Sequence, residues 1–424
     1  MALLPMPLLS LLQRLRPPVR LSAGLMLVLF VWISGVGPAP AQVVELPHDD
    51  DTPGTFFGSA VAIEPGRAVV AAPNESSCAA EAGAAYVFER SGEQQRWEQV
   101  ATLLPSNCEE GLFFGRAVAL SGDRILVTAS REFFATQRPN SVYVFERTAD
   151  GQWEEQTQLR ADPGQRREGS FGADVALDGD RALVTTWADT NAGAEGGAAY
   201  IFEFTGNRWE RTARLTAEGI RDGDVFGGSA ALDGDRLAVS SARHGDNGRG
   251  SVFVFERSPA ARTWDLVARV PDVEDFFISL ALDGPRLAVG ESRAGRRGSG
   301  VVRIIGPDAR GTWREQARIE SPRPYRGGAF GTEVALRGDW LLATGFDEQF
   351  QLNTNIDRAV FAFRYHQDTA AWRFEHVMDM GSPSFGAAID LKGQTAIVGE
   401  SSQDDRGRAF VIRIPVPAPS AERE

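Results

Sequence analysis

Three kinds of residue group in this chain have the types and spacing from which chemistry could be built. Acidic clusters occur at Asp49-Asp50-Asp51, at Asp222 with Asp224, and at Asp272, Glu274 and Asp275. Carboxylates this close can hold a hard cation or pair as acid and base. Asp222 and Asp224 are the best metal candidates. The clusters fall in different segments, however, and read better as solvated loop ends. Arg293, Arg296 and Arg297 surround a glycine-rich stretch, 295–300, whose basic charge could grip an anion. The competing reading is a plain loop. The four histidines, His48, His244, His366 and His376, show no HxxxH spacing, and the chain has no GxSxG, Walker or GxGxxG sequence. No ring of converging carboxylates or histidines is legible, so the residues alone do not point to an enzyme.

The elements that must position these groups repeat. A Phe-Gly pair followed by a short apolar run recurs at Phe57-Gly58, Phe114-Gly115, Phe171-Gly172, Phe226-Gly227, Phe330-Gly331 and Phe385-Gly386, with a degenerate copy at Phe276-Phe277. The period is about 55 residues, the signature of a modular fold. Each copy contains four short β-rich runs. The first is small and apolar (FGADVALDG), and an Asp-Gly pair then predicts a type I′ hairpin into the second (DRALVTT). The third alternates aromatic and β-branched residues (GAAYVFER, NSVYVFER, GSVFVFER). The fourth opens on a tryptophan: Trp97, Trp153, Trp209, Trp264, Trp313 and Trp372. Tryptophans at a fixed place in every copy read as packing residues. Seven four-stranded units that cannot bury both faces alone predict an all-β, seven-bladed β-propeller of antiparallel blades. The last copy lacks its tryptophan strand, while Val43 to Leu46 resembles the end of one. The N-terminal strand is therefore expected to complete the last blade and close the ring.

These motifs resemble the FG-GAP repeats of the integrin α-subunit propeller, and more closely bacterial FG-GAP proteins with GAAYVF-type strands. The resemblance spans roughly residues 43 to 415. The Gly-Ala-Pro element survives only as Ala71-Ala72-Pro73 and looser triplets. The family implies extracellular recognition or adhesion rather than a particular reaction. Many of its members bind calcium in a DxDxDG loop between the first two strands. Here that connection is a two-residue turn, too short to wrap the ion, so no calcium ligand, metal or other cofactor is expected. Arg337-Gly338-Asp339 spells the tripeptide that integrins bind, but it occupies the hairpin slot of Asp233-Gly234-Asp235 and reads as a turn.

Composition bounds the rest. A single ring uses nearly all of the 424 residues, and the net charge of −13 disfavours nucleic acid and anionic membranes as partners. Arg14, Arg16 and Arg20, an apolar run over 21–36 and Ala39-Pro40-Ala41 predict a secretory signal peptide, 1–41, cut after Ala41. The run falls short of the roughly 20 residues of a spanning helix, and an uncleaved anchor is the alternative. The expected organisation is then a propeller over 42–417 and a disordered tail over 418–424, in a secreted, periplasmic or cell-surface monomer with no membrane insertion after cleavage. The two cysteines, Cys78 and Cys108, are expected to form a disulfide in an exported chain. The longer connections should share one face, where variable loops on a rigid scaffold carry binding residues. The candidates are Trp187, Asp189, Asn191, His244, Asp246, Arg296, Arg297 and Asp347, with no catalytic residue assigned. The expected function is a non-enzymatic recognition or adhesion module for an extracellular or envelope protein or glycan. The alternatives are a hydrolase or lyase with acidic residues at the axial mouth, or a structural envelope protein.

Overall fold

The computed structural model describes residues 42–48, 52–92, 96–129, 140–161, 170–187, 196–221, 223–244, 248–275, 278–347, 357–402 and 406–415. The signal segment, the tail, Asp49-Asp50-Asp51, Phe276-Phe277, Asp189, Asn191, Asp222 and Asp246 lie outside them. The described chain forms seven four-stranded antiparallel sheets. They are numbered here as blades 1 to 7, over 61–103, 114–159, 175–215, 226–273, 278–320, 334–379 and 385–413. Blade 7 takes its fourth strand from the N-terminus. Gln42–Glu45 pairs antiparallel with Arg408–Arg413, from Gln42↔Arg413 to Glu45↔Phe410. The Leu46 N–H then donates to the Ala409 carbonyl at 2.8 Å, so the ring closes by main-chain pairing. The one helical turn among the described residues is Arg296–Gly298.

The core lies between blades rather than within them. Phe114 is fully buried among Ala62, Val69, Ala85 and Val87 of blade 1 and Ile125, Val127, Tyr143 and Phe145 of its own blade. It meets Tyr143 edge-on at 5.2 Å, a favourable aromatic geometry. Phe57, Phe171, Phe226, Phe330 and Phe385 occupy the same place and are equally buried. The glycine beside each allows a close approach. At the junction of blades 3 and 4, Gly227 has φ +96°, and a Cβ there would lie 2.9 Å from the Ala198 and Thr186 carbonyl oxygens. Opposite it, Gly197 has φ +80°, and a Cβ would lie 1.8 Å from the Phe226 oxygen. No side chain fits either position.

The hairpins depart from the expected turn type. Asp178 pairs with Arg181 and belongs to the strand, so the two turn residues are Gly179 and Asp180. Of the pair only Gly179 has positive φ, at +56°. That is the II′ pattern, with glycine first, rather than type I′. The aspartate before the glycine serves the next blade instead, where its Oδ2 accepts the Gly234 N–H at 2.7 Å. Arg337-Gly338-Asp339 is such a turn, and its arginine is folded inward against Asp233 and Asp283.

The cysteines form a disulfide. It ties the connection between the second and third strands of blade 1 to the link into blade 2. Three backbone hydrogen bonds run alongside it, from Gly111, Phe113 and Phe114 to Ala80, Glu81 and Ala82. No helix among the described residues is long and apolar enough to cross a membrane.

Candidate functional site

The innermost strands surround an axial cavity of about 310 Å³ lined by all seven blades. What faces it depends on the start of each first strand, which in blades 2, 4 and 7 carries a local break. After the Phe-Gly pair the strand slips out of register with the second strand, as between Phe226 and Ala230. A hydroxyl of the second strand then takes the place of the lost ladder bond. Thr128, Thr185, Ser240 and Thr344 accept the N–H of Ala117, Asp174, Ser229 and Glu333 at 2.8–3.0 Å. This fixes the third residue after each phenylalanine at the loop-side end of the axis. Around the ring these residues are Ala60, Ala117, Asp174, Ser229, Ser279, Glu333 and Ala388. Asp174, Ser229, Ser279 and Glu333, on four consecutive blades, 3 to 6, line the cavity as a polar arc, and their counterparts in the other three blades are alanines.

Hydrogen bonds join blades 3 and 4, and blades 5 and 6, within the arc. Asp174 accepts the Ala230 N–H of blade 4 at 2.9 Å. The Ser279 hydroxyl accepts the Val334 N–H at 3.1 Å and donates to Glu333 Oε2 at 3.3 Å. One layer deeper, every blade has alanine except blade 7, where Asp390 accepts the Ile63 N–H of blade 1 at 2.8 Å. Both Asp174 and Glu333 are enclosed by the ring yet reached by solvent along the channel. Loss of bulk water penalises their charged forms. It raises Asp174 to about 6, against the pull of the Ala230 and Val175 amides and Ser229. It raises Glu333 to about 7, with the Asp174 charge pushing the same way and Arg358 and Ser279 opposing. Burial also moves Asp390 up, and lowers Arg358 despite the Glu333 charge beside it.

At the hairpin end the arrangement is different. Ser121, Asp178, Asp233 and Asp283 each accept the turn glycine N–H of the following blade, at 2.7–3.0 Å. Lys392 pairs with Glu64 at 2.9 Å across the closure of the ring. These charges are matched and engaged in holding blades together. Two acids with raised pKa values, Asp174 and Glu333, lie toward the loop face. Both are raised toward neutral pH, and the Asp174 charge adds to the rise at Glu333. The pair can therefore accept a hydrogen bond at one group and donate one at the other, or take a cation.

The residues singled out in the sequence sit elsewhere. Trp187 follows the second strand of blade 3 and is half-buried; His244, Arg296, Arg297 and Asp347 are likewise absent from the axial lining. His244 is buried in blade 4, its Nδ1 2.9 Å from Asp224 Oδ2, which also accepts the Arg221 N–H. The fold therefore joins two candidates, Asp224 and His244, that the sequence leaves unconnected. Arg296 and Arg297 are exposed on the short helical turn. Asp347 is fully buried and paired with Arg323 at 2.5 Å. Among the described residues no three His, Cys, Asp or Glu side chains are grouped to hold a metal ion. The axial acids escape a motif search because each stands in a different repeat. Lining the repeats up on their phenylalanines and reading the third residue onward is the signal that finds them.

The closed ring of seven four-stranded blades is a β-propeller, and its repeats say of which kind. The FG-GAP repeat model matches residues 41–88, 97–145, 153–202 and 209–255, and the chain is an FG-GAP repeat protein. Among solved structures it is similar to a protein from Bacteroides uniformis, provisionally assigned as a 6-phosphogluconolactonase. The identity is 13%, over 81% of this chain and 88% of that one, with a TM-score of 0.52. A protein from Lactobacillus plantarum is similar over 84% of this chain and 95% of its own, at 13% identity and a TM-score of 0.50. Likeness at this identity speaks for the fold alone. No curated protein matches the chain.

Proposed function

We propose that this protein is an exported recognition module. It binds an extracellular or envelope protein or glycan on the loop face and anchors one polar group of that ligand in the axial arc. The observation that carries this reading is the run of Asp174, Ser229, Ser279 and Glu333 on four consecutive blades, at the channel end shared with the long connections. Export is supported by the disulfide and by the basic, then apolar, N-terminal sequence. An ammonium or a sugar hydroxyl suits a carboxyl pair that both donates and accepts. The test is co-sedimentation of the protein from Gln42 with envelope and surface-polysaccharide fractions, beside the Asp174→Asn/Glu333→Gln double variant. Saturable binding weakened in the variant supports the module. Equal binding by both proteins removes the arc from the ligand site.

A second reading is a hydrolase or lyase. It is favoured by the same pair, because carboxyls raised to about 6 and about 7 suit proton transfer at neutral pH. Release of reducing ends or unsaturated sugars from the polysaccharide fraction, abolished in the double variant, would select it. Absence of any turnover would leave the binding module alone.

A further inference from the structure

A second site lies on the opposite, hairpin face, between the outer strands of blades 5 and 6, where a groove of about 470 Å³ opens. A repeated clasp is broken beside it. In blades 1 to 4 the arginine opening the second strand pairs with a glutamate of the third. The pairs are Arg67–Glu89, Arg124–Glu146, Arg181–Glu203 and Arg236–Glu256, at 2.7–3.3 Å. In blade 5 the glutamate is replaced by Gly306, one step beyond the Leu287↔Ile305 pair. Arg286 keeps its place but turns to Asp283 at 3.5 Å and Asp339 at 3.8 Å. The Gln316 side chain takes the space at Gly306, where a Cβ would lie 2.6 Å from its Nε2.

The far wall of the groove differs from its counterparts too. The strand residue opposite the repeated tryptophan is Arg90, Arg147 or Arg257 in blades 1, 2 and 4, Phe204 in blade 3 and Pro307 in blade 5. In blade 6 it is Tyr365, with its ring centroid 5.4 Å from that of Trp372. Arg286 stands 5.9 Å from each ring. Both rings are half-buried, Gln316 and Gln367 are exposed at the rim, and Asp339 completes the lining. The Tyr365 hydroxyl makes no hydrogen bond among the described residues.

We propose that this groove binds a single pyranose ring of a glycan. Two tilted aromatic rings offer a face to the C–H side of a sugar. A carboxylate, two amides, a guanidinium and a phenol offer donors and acceptors around its edge. A pocket of this size, lined by aromatics with a few convergent polar groups, is the ordinary form of a small-ligand site. The other described blade junctions keep the glutamate or lack the aromatic pair. The axial arc plays no part in this site.

The test uses saturation-transfer NMR on the protein from Gln42 with the methyl pyranosides of glucose, galactose and mannose, and with N-acetylglucosamine. Transfer to the ring C–H protons of at least one sugar is expected. Binding should weaken about tenfold in Tyr365→Ala, which removes one stacking face. The exposed Gln367→Ala should weaken it severalfold while leaving the melting temperature unchanged, which keeps the test independent of folding. Asp174→Asn/Glu333→Gln should not alter it, separating this site from the axial one. No transfer to any of the four sugars, or transfer equal in wild type, Tyr365→Ala and Gln367→Ala, would overturn the proposal.

Discussion

Arg337 of blade 6 reaches past blade 5 to Asp233 of blade 4: its Nη1 lies 2.9 Å from Asp233 Oδ1 and 3.3 Å from Asp283 Oδ1. One guanidinium thus bridges two carboxylates that already accept turn amides of their neighbouring blades. Arg337→Ala leaves those like charges facing each other half-buried. It should cost about 1–2 kcal/mol, discounted for the solvent each group still sees. Urea unfolding with unchanged m-value checks it. Because the same arginine begins the Arg337-Gly338-Asp339 tripeptide, cells carrying receptors for that sequence should adhere no better to the wild type than to Asp339→Glu.

Asp174 and Glu333 set a pH dependence with a definite sign. Each binds its proton more tightly folded than unfolded, about 6 against 3.8 and about 7 against 4.5. Between pH 4 and 7 the native state therefore holds more protons, and stability falls as pH rises. Their favourable contribution is complete below about pH 4 and gone above about pH 7. Glu333→Gln should stabilise the protein by about 1–3 kcal/mol at pH 8 and by nothing measurable at pH 4, since one pKa unit corresponds to about 1.4 kcal/mol. Thermal melts of both proteins at the two pH values read this directly.

The disulfide joins residues 30 apart in sequence. Cys78→Ser with Cys108→Ser should cost about 3 kcal/mol, the loop-closure entropy restored to the unfolded chain. The parallel bonds from Gly111, Phe113 and Phe114 should hold the connection in place, so the reduced protein keeps its circular dichroism and melts at a lower temperature.

Two glycines of similar backbone should respond very differently. Gly179 has φ +56° with open space where a Cβ would go, and Gly179→Ala should cost about 1 kcal/mol. Gly197 has φ +80° and meets the Phe226 oxygen, so Gly197→Ala must push two blades apart and should cost well above 3 kcal/mol. Matched denaturation curves decide between this and a purely conformational effect.

The fold is legible in the sequence because it is written several times over. Most copies state the buried Phe, the close-approach glycine, the aromatic third strand and the tryptophan, and the shortfall in the last copy matches the surplus at Val43 to Leu46. The axial arc is hidden for the converse reason. It lies in what distinguishes copies rather than what they share, one residue per blade, with alanine in three of them. The groove at Tyr365 is likewise a local exception, a glutamate lost in blade 5 and an arginine exchanged in blade 6. The hairpin type is misread from sequence because Asp178 looks like a turn residue and is in fact an acceptor for the next blade.

The proposed function depends most heavily on Asp174 and Glu333 acting together in the channel. Carboxyl-carbon NMR of the two side chains, followed from pH 3 to pH 9, addresses it directly. The expected result is a Glu333 midpoint near 7 that moves down in Asp174→Asn. A Glu333 midpoint near the ordinary 4.5, unchanged by that substitution, would contradict the coupling.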